Sequence, residues 1–434
     1  MGEKGGGAAM TFFLFIAMFA LFALNVPIAF AVGIVSMGYI YFFTEVPLLI
    51  VIQTMFRGTD TFPLMAIPFF VLAGQLMEEG DISRRIVDFA SALVGFIRGA
   101  LSMITVMAAM FFAGISGSAA ADAAAVGSVM IPAMVEKKYP RPFSVAIQSA
   151  AGSIGVVIPP SIPMVVYGVT ANVSIARLFL GGYIPGLLLG LGLMLISYIF
   201  AVMFNYPKEA RISFLRIWVT FRRAILSLMT AVIIIGGILS GVFTATEAAA
   251  VAVIYALILT VLVYRSITFQ DLPRIFVRCA LTSSIVMLTV CTASTLSWIL
   301  ASEQIPVKMA AYIVNTFQHP VLIILALNLM LLVVGAFLDC TPAIIIFVPI
   351  LTPIAAKLGM DPIHFGVMVV INLAIGLATP PVGVCTFAAC SVGQTTISAV
   401  TKPLLIFLAG MIVILLLIAY VPPLTLFVPK LFMG

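Results

Sequence analysis

The sequence predicts an all-α integral membrane protein made of two inverted repeats, each containing a re-entrant helical hairpin and a proline-broken helix. Three observations predict this fold: an extreme apolar composition, a matching pattern of glycines and prolines in the two halves, and an unequal distribution of lysine and arginine. Of the 434 residues, 63% are hydrophobic and 8% are charged, and the mean hydropathy is +1.29. Soluble domains do not have this composition.

Apolar segments of membrane-spanning length recur along the whole chain. A transmembrane helix needs about 20 mainly apolar residues, so the chain has room for roughly ten to twelve passes. A basic stretch at 205–223 separates seven apolar segments from seven more, and it is predicted to be a cytoplasmic loop. The segments before it are 11–24, 26–44, 61–77, 99–115, 119–135, 143–173 and 178–205, and those after it are 224–243, 245–264, 279–300, 320–338, 341–357, 363–391 and 403–428.

The two halves, 1–204 and 224–434, have the pattern of an internal duplication. A shift of 221 residues places five glycines and prolines of the first half on the same residue type in the second. The pairs are Gly114 with Gly335, Pro132 with Pro353, Gly155 with Gly376, Pro159 with Pro380 and Pro160 with Pro381. Sequence identity is low elsewhere, but these residue types determine backbone conformation.

The distribution of basic residues predicts that the repeats are inverted. Short loops of the first half contain Arg84, Arg85, Arg98, Lys137, Lys138 and Arg141, whereas the equivalent loops of the second half offer only Lys308 and Lys357. Because lysine and arginine accumulate on the cytoplasmic side, the first set and the central loop are expected inside and both termini outside. This orientation makes 99–135 a hairpin that enters from the cytoplasm and 320–357 one that enters from outside.

The hairpin tips contain the first candidate site residues. In "AGISGSAAADAA" (113–124), glycines allow a turn and Ser116 and Ser118 present oxygens. Asp122 and the equivalent Asp339 are acids within apolar sequence, where a carboxylate is costly unless it is paired or coordinated. Two alternatives stay open, namely that the small residues only pack helices and that the acids only cap them.

The second candidate feature is a pair of broken helices, 143–173 and 363–391. Each contains two consecutive prolines, in "SIGVVIPPSIP" and "AIGLATPPVG", which remove two amide donors and interrupt the helix. The carbonyls of Gly155, Ile158, Gly376 and Thr379 then lose their helical partners. Matched breaks in inverted repeats indicate a midplane site for a substrate and a coupling cation.

The ligand types favour Na⁺ as the coupling ion, because carbonyl, hydroxyl and carboxylate oxygens are hard ligands. Proton coupling through Asp122 and Asp339 is the alternative. Free amides after Pro160 and Pro381 would attract an anion such as a carboxylate. The candidate substrate-binding residues are Ser161, Asn372 and Pro380, and no cofactor besides the Na⁺ is expected.

Four segments resemble the large membrane subunit of the tripartite ATP-independent periplasmic (TRAP) transporters. They are "SGSAAADAAAVGSVMIPAM", "IPPSIPMVVYGVTANVSIARLFLGGYIPG", "SGVFTATEAA" and "TPPVGV", and the similarity extends over essentially the whole chain. The resemblance implies a Na⁺-coupled, elevator-type importer of a small organic anion in the bacterial inner membrane. It also implies two partners, a four-helix membrane subunit, expected here as a separate chain, and a periplasmic substrate-binding protein.

The resemblance further implies two Na⁺ sites. The first would use Ser116, Ser118, Gly155, Ile158 and Pro160 with Asp122 nearby, and the second Gly335, Gly376, Thr379 and Pro381 with Asp339 nearby. The tip "GAFLDCTP" departs from the pattern because it lacks a serine pair. Ser174 and Glu247 match positions that resemble docking points for the binding protein.

Two other functions compete with this interpretation. A stand-alone sodium/dicarboxylate symporter of the related fold would need no binding protein. An intramembrane hydrolase would need a nucleophile with a base, or a metal cluster. The two acids Asp122 and Asp339 do not lie in a motif of an aspartyl hydrolase. We therefore expect a transporter subunit and not an enzyme, with the identity of the substrate left open.

Overall fold

The computed structural model of the chain describes residues 6–206, 213–316 and 319–434. Within these ranges the secondary structure is helical. The α-helices are α1 (Gly6–Ala23), α2 (Ile28–Phe43), α3 (Leu49–Thr59), α4 (Ala66–Glu79), α5 (Ile82–Val94), α6 (Ala100–Ser116), α7 (Ala119–Glu136), α8 (Arg141–Ser153), α9 (Ile162–Thr170), α10 (Ile175–Met203), α11 (Phe214–Leu239), α12 (Ala245–Leu257), α13 (Leu272–Ser302), α14 (Ile305–Thr316), α15 (Pro320–Phe337), α16 (Cys340–Lys357), α17 (Pro362–Ala378), α18 (Val384–Gly393), α19 (Ile397–Tyr420) and α20 (Pro423–Met433).

Short non-α segments extend three of these helices. A 3₁₀ turn, Phe62–Met65, precedes α4, another, Ile154–Val156, follows α8, and a π-helical segment, Ile258–Val263, follows α12. In the described ranges, nine helical segments are long and apolar enough to cross a membrane. Several of the remaining helices are apolar but shorter, including α6 and α17. The all-helical prediction and most of its segment boundaries are confirmed.

The helices of the two halves correspond under the shift of 221 residues. That shift places α7 on α16 at both ends, and it places α5, α6 and α10 on α14, α15 and α19 to within four residues. Helices α5 and α14 each precede a helix that ends near a predicted tip. The glycine and proline pattern therefore coincides with the same order of helices and with similar helix lengths.

Three details differ from the sequence-based expectation. Helix α11 begins at Phe214, with Ser213 as its N-cap, so Arg216, Arg222 and Arg223 lie on a helix and not in the predicted loop. The rest of that loop includes Lys208, Glu209 and Arg211, which lie outside the described residues. Helix α3 was not predicted, because its 11 residues are too few for a membrane span. The predicted segment 403–428 is divided between α19 and α20.

The two predicted hairpins are built differently. Helices α6 and α7 pack along each other, and Gly117, between them, adopts a left-handed conformation (φ +63°). Helices α15 and α16 are joined by Leu338 and Asp339, and these two residues have an extended backbone. The two helices pack mainly against other helices and little against each other. Helix α15 lies against α17, whereas α16 lies against α9, α13 and α14.

Arginine side chains connect neighbouring helices through polar contacts. Glu79, at the end of α4, bonds Arg274 at 2.8 Å and Arg278 at 3.0 Å, both on the first turns of α13. Arg216 donates to the Ser91 hydroxyl at 3.0 Å and so links α11 to α5. Surface ion pairs of this kind contribute little to the free energy of folding. Their value here is that they show these helix ends lying on the same surface of the protein.

We expect Gly376→Ala to destabilise the protein. Gly335 on α15 packs against Gly376 on α17, and a Cβ on Gly376 would lie 2.6 Å from the Gly335 oxygen. Such overpacking costs about 1–3 kcal/mol, so the thermal unfolding midpoint in detergent should fall by several degrees. The matched control is Gly236→Ala on α11, where no atom lies within 4 Å of the added Cβ and the midpoint should hold or rise. Equal midpoints for both variants would contradict this account of the packing.

Candidate ion and substrate site

The first helix–turn–helix tip depends on Gly117. Its left-handed backbone ends α6, and Ser118 then starts α7 as an N-cap whose hydroxyl accepts from the Ala121 amide at 3.5 Å. A Cβ on Gly117 would lie 2.7 Å from the Pro160 carbonyl oxygen of the first broken helix. Glycine is therefore required both for the turn and for the close approach of the two elements.

Asp122 lies in the first turn of α7 and is fully buried. The Ser116 hydroxyl donates to its Oδ1. Among the described residues, its Oδ2 has no hydrogen-bond partner, and it faces Gly155, where a Cβ would overlap this oxygen. Gln148 donates to the backbone oxygens of Asp122 and Ala123 at 3.1 and 3.2 Å. A buried carboxylate oxygen that faces a broken backbone is suited to a cation, because an unpartnered charge there is costly.

The first break follows the 3₁₀ turn after α8. The Pro159–Pro160 peptide bond is cis, and α9 begins with Ser161 as its N-cap. The Ser161 hydroxyl donates to the Val156 carbonyl at 2.5 Å and accepts from the Met164 amide at 3.3 Å. The Ile162 amide donates to the Gly117 oxygen at 3.5 Å. Tip and break are thus joined through the backbone.

The second break is joined to its own tip in a similar way. The Val382 amide donates to the Ala336 carbonyl at 3.3 Å, and the Pro380–Pro381 bond is cis. The Thr379 amide donates to the Gly376 oxygen at 2.8 Å, and its hydroxyl donates to the Ile375 oxygen at the same distance. Pro381 is exposed, whereas Gly376 is buried.

The two halves meet through a buried hydroxyl pair. Ser149 on α8 and Thr386 on α18 lie 2.7 Å apart, oxygen to oxygen, and neither is exposed. Thr386 also donates to the carbonyl of Ala378, at the end of α17, at 2.7 Å. These bonds fix the end of α17 against α18 and the first broken helix.

Asp339 differs from Asp122 although the sequence treats them as equivalent. It is exposed and caps α16, accepting from the Cys340 amide at 2.7 Å. It also lines a central cavity of about 260 Å³, to which both tips and both broken helices contribute. Helices α4 and α13 complete the wall. The polar or charged lining residues are Gln75, Glu78, Ser116, Ser118, Thr282, Asp339 and Thr341.

Sequence reasoning missed the residues on α4 and α13. Gln75 Oε1 is buried and without a hydrogen-bond partner in the described chain, and Glu78 and Thr282 also line the cavity. Gln75 lies inside a predicted apolar segment, which was a usable signal. Glu78 lies just beyond that segment, next to Glu79, so its position in the sequence gives no sign of the cavity.

The candidate substrate-binding residues do not share one environment. Ser161 is buried and engaged within the first break, and Pro380 is half-buried in the second. Asn372 lies inside α17, fully buried, and donates to Asn328 Oδ1 at 2.7 Å and to the Met368 carbonyl at 2.9 Å. None of the three lines the central cavity.

The candidate docking residues are exposed helix caps. Ser174 caps α10 by accepting from the Arg177 amide at 3.3 Å. Glu247 forms a capping box with Thr244 at the start of α12, accepting from the Thr244 amide at 2.7 Å and from its hydroxyl at 2.9 Å. Both residues thus have a structural role.

The fold is that of a multi-pass, helical membrane protein. It is similar to the YdaH transporter of Alcanivorax borkumensis, with a TM-score of 0.65 and 12% identity over 95% of this chain and 97% of that one. It is also similar to MtrF of Neisseria gonorrhoeae, with a TM-score of 0.59 and 14% identity over 87% and 85%.

The chain belongs to the DctM component family of the tripartite ATP-independent periplasmic transporters, whose family model matches residues 15–424. It is 40% identical to the sialic acid TRAP transporter large permease protein SiaM of Vibrio cholerae, over 95% of this chain and 97% of that protein. It is 42% identical to the isethionate TRAP transporter permease protein DctMQ of Oleidesulfovibrio alaskensis, over 94% of this chain but 65% of that relative's length. The resemblance to this family is therefore confirmed.

We expect Asp122→Asn and Thr379→Val to weaken Na⁺ binding. The Asp122→Asn side chain keeps an oxygen that accepts from Ser116, but it removes the negative charge of the carboxylate. The Thr379→Val substitution removes one hydroxyl at the second break. Loss of one charged ligand should lower the affinity at least about tenfold, the equivalent of 1.4 kcal/mol. Calorimetry on the purified chain measures this, with the exposed Asp88→Asn as the control. Unchanged affinity in both site variants would refute the assignment.

Proposed function

We propose that this chain is the substrate-translocating subunit of a sodium-coupled importer of small organic anions. The observation that carries the proposal is the buried Asp122 Oδ2, which faces the broken backbone at Gly155 and has no hydrogen-bond partner among the residues that the structure describes. Membership of the DctM family supports the transport role. The first ion site would comprise Ser116, Ser118, Asp122, Gly155, Ile158 and Pro160, and the second Gly335, Asp339, Gly376, Thr379 and Pro381.

Sodium fits the first site better than a proton does. A sodium ion in the first site would be bound by one carboxylate oxygen, serine hydroxyls and backbone carbonyls. Of these ligands, only the carboxylate can take up a proton. Ser116 already bonds one oxygen of Asp122, which leaves the other free for a cation. The second site is less complete, because Thr379 is the one candidate hydroxyl there and Asp339 is engaged as a cap.

A small organic anion fits the central cavity. The first turns of α9 and α18 follow the two breaks, and Ile162, Pro163 and Val384 from these turns line the cavity. Free amides at helix starts attract negative charge. Relatives are named for sialic acid, C4-dicarboxylates and 2,3-diketo-L-gulonate, which are carboxylates, and for isethionate. We propose a carboxylate, delivered by a periplasmic binding protein, as the substrate.

The proposed mechanism is of the elevator type. Two inverted repeats, 1–204 and 224–434, would contribute the re-entrant hairpins and broken helices to a mobile unit, and the remaining helices would form a scaffold. A small four-helix membrane subunit would complete that scaffold in the bacterial inner membrane. The family description names a tripartite transporter, which supports both partners. A stand-alone symporter is the alternative.

Reconstituted uptake tests the function. Proteoliposomes containing this chain and its membrane partner should accumulate substrate only with an inward Na⁺ gradient and the cognate binding protein. Replacing Na⁺ by choline or omitting the binding protein should reduce uptake to the level of empty vesicles. Uptake of free substrate by this chain alone would instead support the stand-alone symporter, and uptake driven by a pH gradient without Na⁺ would support proton coupling.

We expect Glu247→Gln to reduce uptake at low concentrations of binding protein. Glutamine can preserve the capping box with Thr244 but removes the exposed charge. Because rim charges act mainly on encounter, saturating binding protein should restore most of the rate, with Na⁺ affinity unchanged. Glu45→Gln, another exposed acid, serves as the control. If uptake by Glu247→Gln matches the wild type at all concentrations, Glu247 is only a cap.

A further inference from the structure

A basic and aromatic pocket lies away from the central cavity, between α5, α11 and the segment that follows α12. Its volume is about 430 Å³. The lining residues are Arg85, Trp218, Val219, Arg222, Arg223, Leu226 and Tyr264. Three of them are arginines, and none of these described residues carries a carboxylate.

Helix α11 presents one face to this pocket. Trp218 and Arg222 are four residues apart, as are Val219 and Arg223, so each pair lies on neighbouring turns of one side. Both Arg222 and Arg223 are exposed, and neither forms an ion pair with a described residue. Their guanidinium groups are therefore available to a ligand.

Arg85 forms the inner wall. Its guanidinium lies over the Tyr264 ring, 3.7 Å from the centroid, and its Nε is buried without a hydrogen-bond partner in the described chain. The Tyr264 hydroxyl lies 3.2 Å from the Ser227 hydroxyl and donates to the Arg223 carbonyl at 3.3 Å. The aromatic ring thus fixes the guanidinium while leaving its donors free.

The backbone at Tyr264 is also unusual. Residues 258–263 form a π-helical segment, and the Tyr264 amide donates to the Leu259 carbonyl, five residues back, at 2.8 Å. Such insertions occur often at functional sites, because they reorient the side chains that follow. Here the segment directs Tyr264 beneath Arg85.

We propose that this pocket binds the phosphate of an anionic membrane phospholipid. Arginine forks match phosphate oxygens, and basic pockets between membrane helices bind anionic lipid headgroups. The outer wall favours a lipid over a soluble phosphate, since the apolar Trp218, Val219 and Leu226 beside the arginines are 64%, 40% and 40% exposed. An acyl chain can lie along this apolar face of α11, and tryptophan is typical of the membrane interface.

Lipid titration of the purified chain with its membrane partner tests the site. Phosphatidylglycerol binding, counted by native mass spectrometry, should exceed phosphatidylcholine binding, and Arg222→Gln with Arg223→Gln should weaken it by at least about fivefold. The control pair, Arg84→Gln with Arg98→Gln, removes the same charge from exposed arginines that do not line the pocket, and it should bind as the wild type does.

Three further results decide the outcome. Phosphatidylglycerol should raise the thermal unfolding midpoint of the wild type and of the control double variant, but not that of the pocket double variant. The midpoint of the pocket variant without lipid shows whether that variant is folded. Equal losses in the two double variants would indicate non-specific attraction and overturn the proposal. Full competition by millimolar inorganic phosphate would reassign the pocket to a soluble anion and overturn the lipid assignment.

Discussion

The structure depends on satisfying backbone that is broken inside an apolar environment. Paired prolines interrupt two long helices, and hydrocarbon offers no hydrogen bonds to the groups that are released. Each break is therefore held by a hydrogen bond from within its own half of the chain. The Ile162 amide donates to the Gly117 carbonyl, and the Val382 amide donates to the Ala336 carbonyl. The hydroxyls of Ser161 and Thr386 each bond a further carbonyl. Within the described part of the chain, Asp122 Oδ2 is left without a hydrogen-bond partner, which makes it the strongest candidate for a cation ligand.

The two halves satisfy this constraint unequally. At the first tip, left-handed Gly117 turns the chain tightly, and Ser116 bonds the buried Asp122. At the second, two extended residues spread the helices apart, and the exposed Asp339 caps a helix. The two matching tips thus hold one enclosed carboxylate, Asp122, and one cavity-facing carboxylate, Asp339. If the two proposed ion sites exist, this difference makes them unequal, and the first would be the more fully formed.

Much of the architecture follows from the sequence, because glycine and proline act on the backbone locally. The helix breaks at 159–160 and 380–381, the turn at Gly117 and the cap at Asp339 were all predictable from residue type alone. Helix α3 was not predictable, since 11 residues do not make a span. The basic stretch 205–223 does not reveal the start of α11 either, because arginine is a good helix former and a cluster of charge does not by itself indicate a loop.

Side-chain surroundings were less predictable, because they depend on helices distant in sequence. The sequence predicts Asn372 to bind substrate, but its side-chain amide donates to Asn328 on α15, which lies 44 positions earlier in the chain. Gln75 and Thr282 reach the cavity from α4 and α13, which carry neither a hairpin tip nor a paired-proline break. The Ser149–Thr386 contact joins residues 237 positions apart, and no local pattern indicates it.

Electron cryomicroscopy of the chain with its membrane partner, in Na⁺ and in choline, tests the central claim most directly. The account predicts density beside Asp122 Oδ2, facing Gly155 and the Ser116 hydroxyl, that is present in Na⁺ and absent in choline. A contradictory result would be the same map in both salts, with Oδ2 bonded to a protein donor.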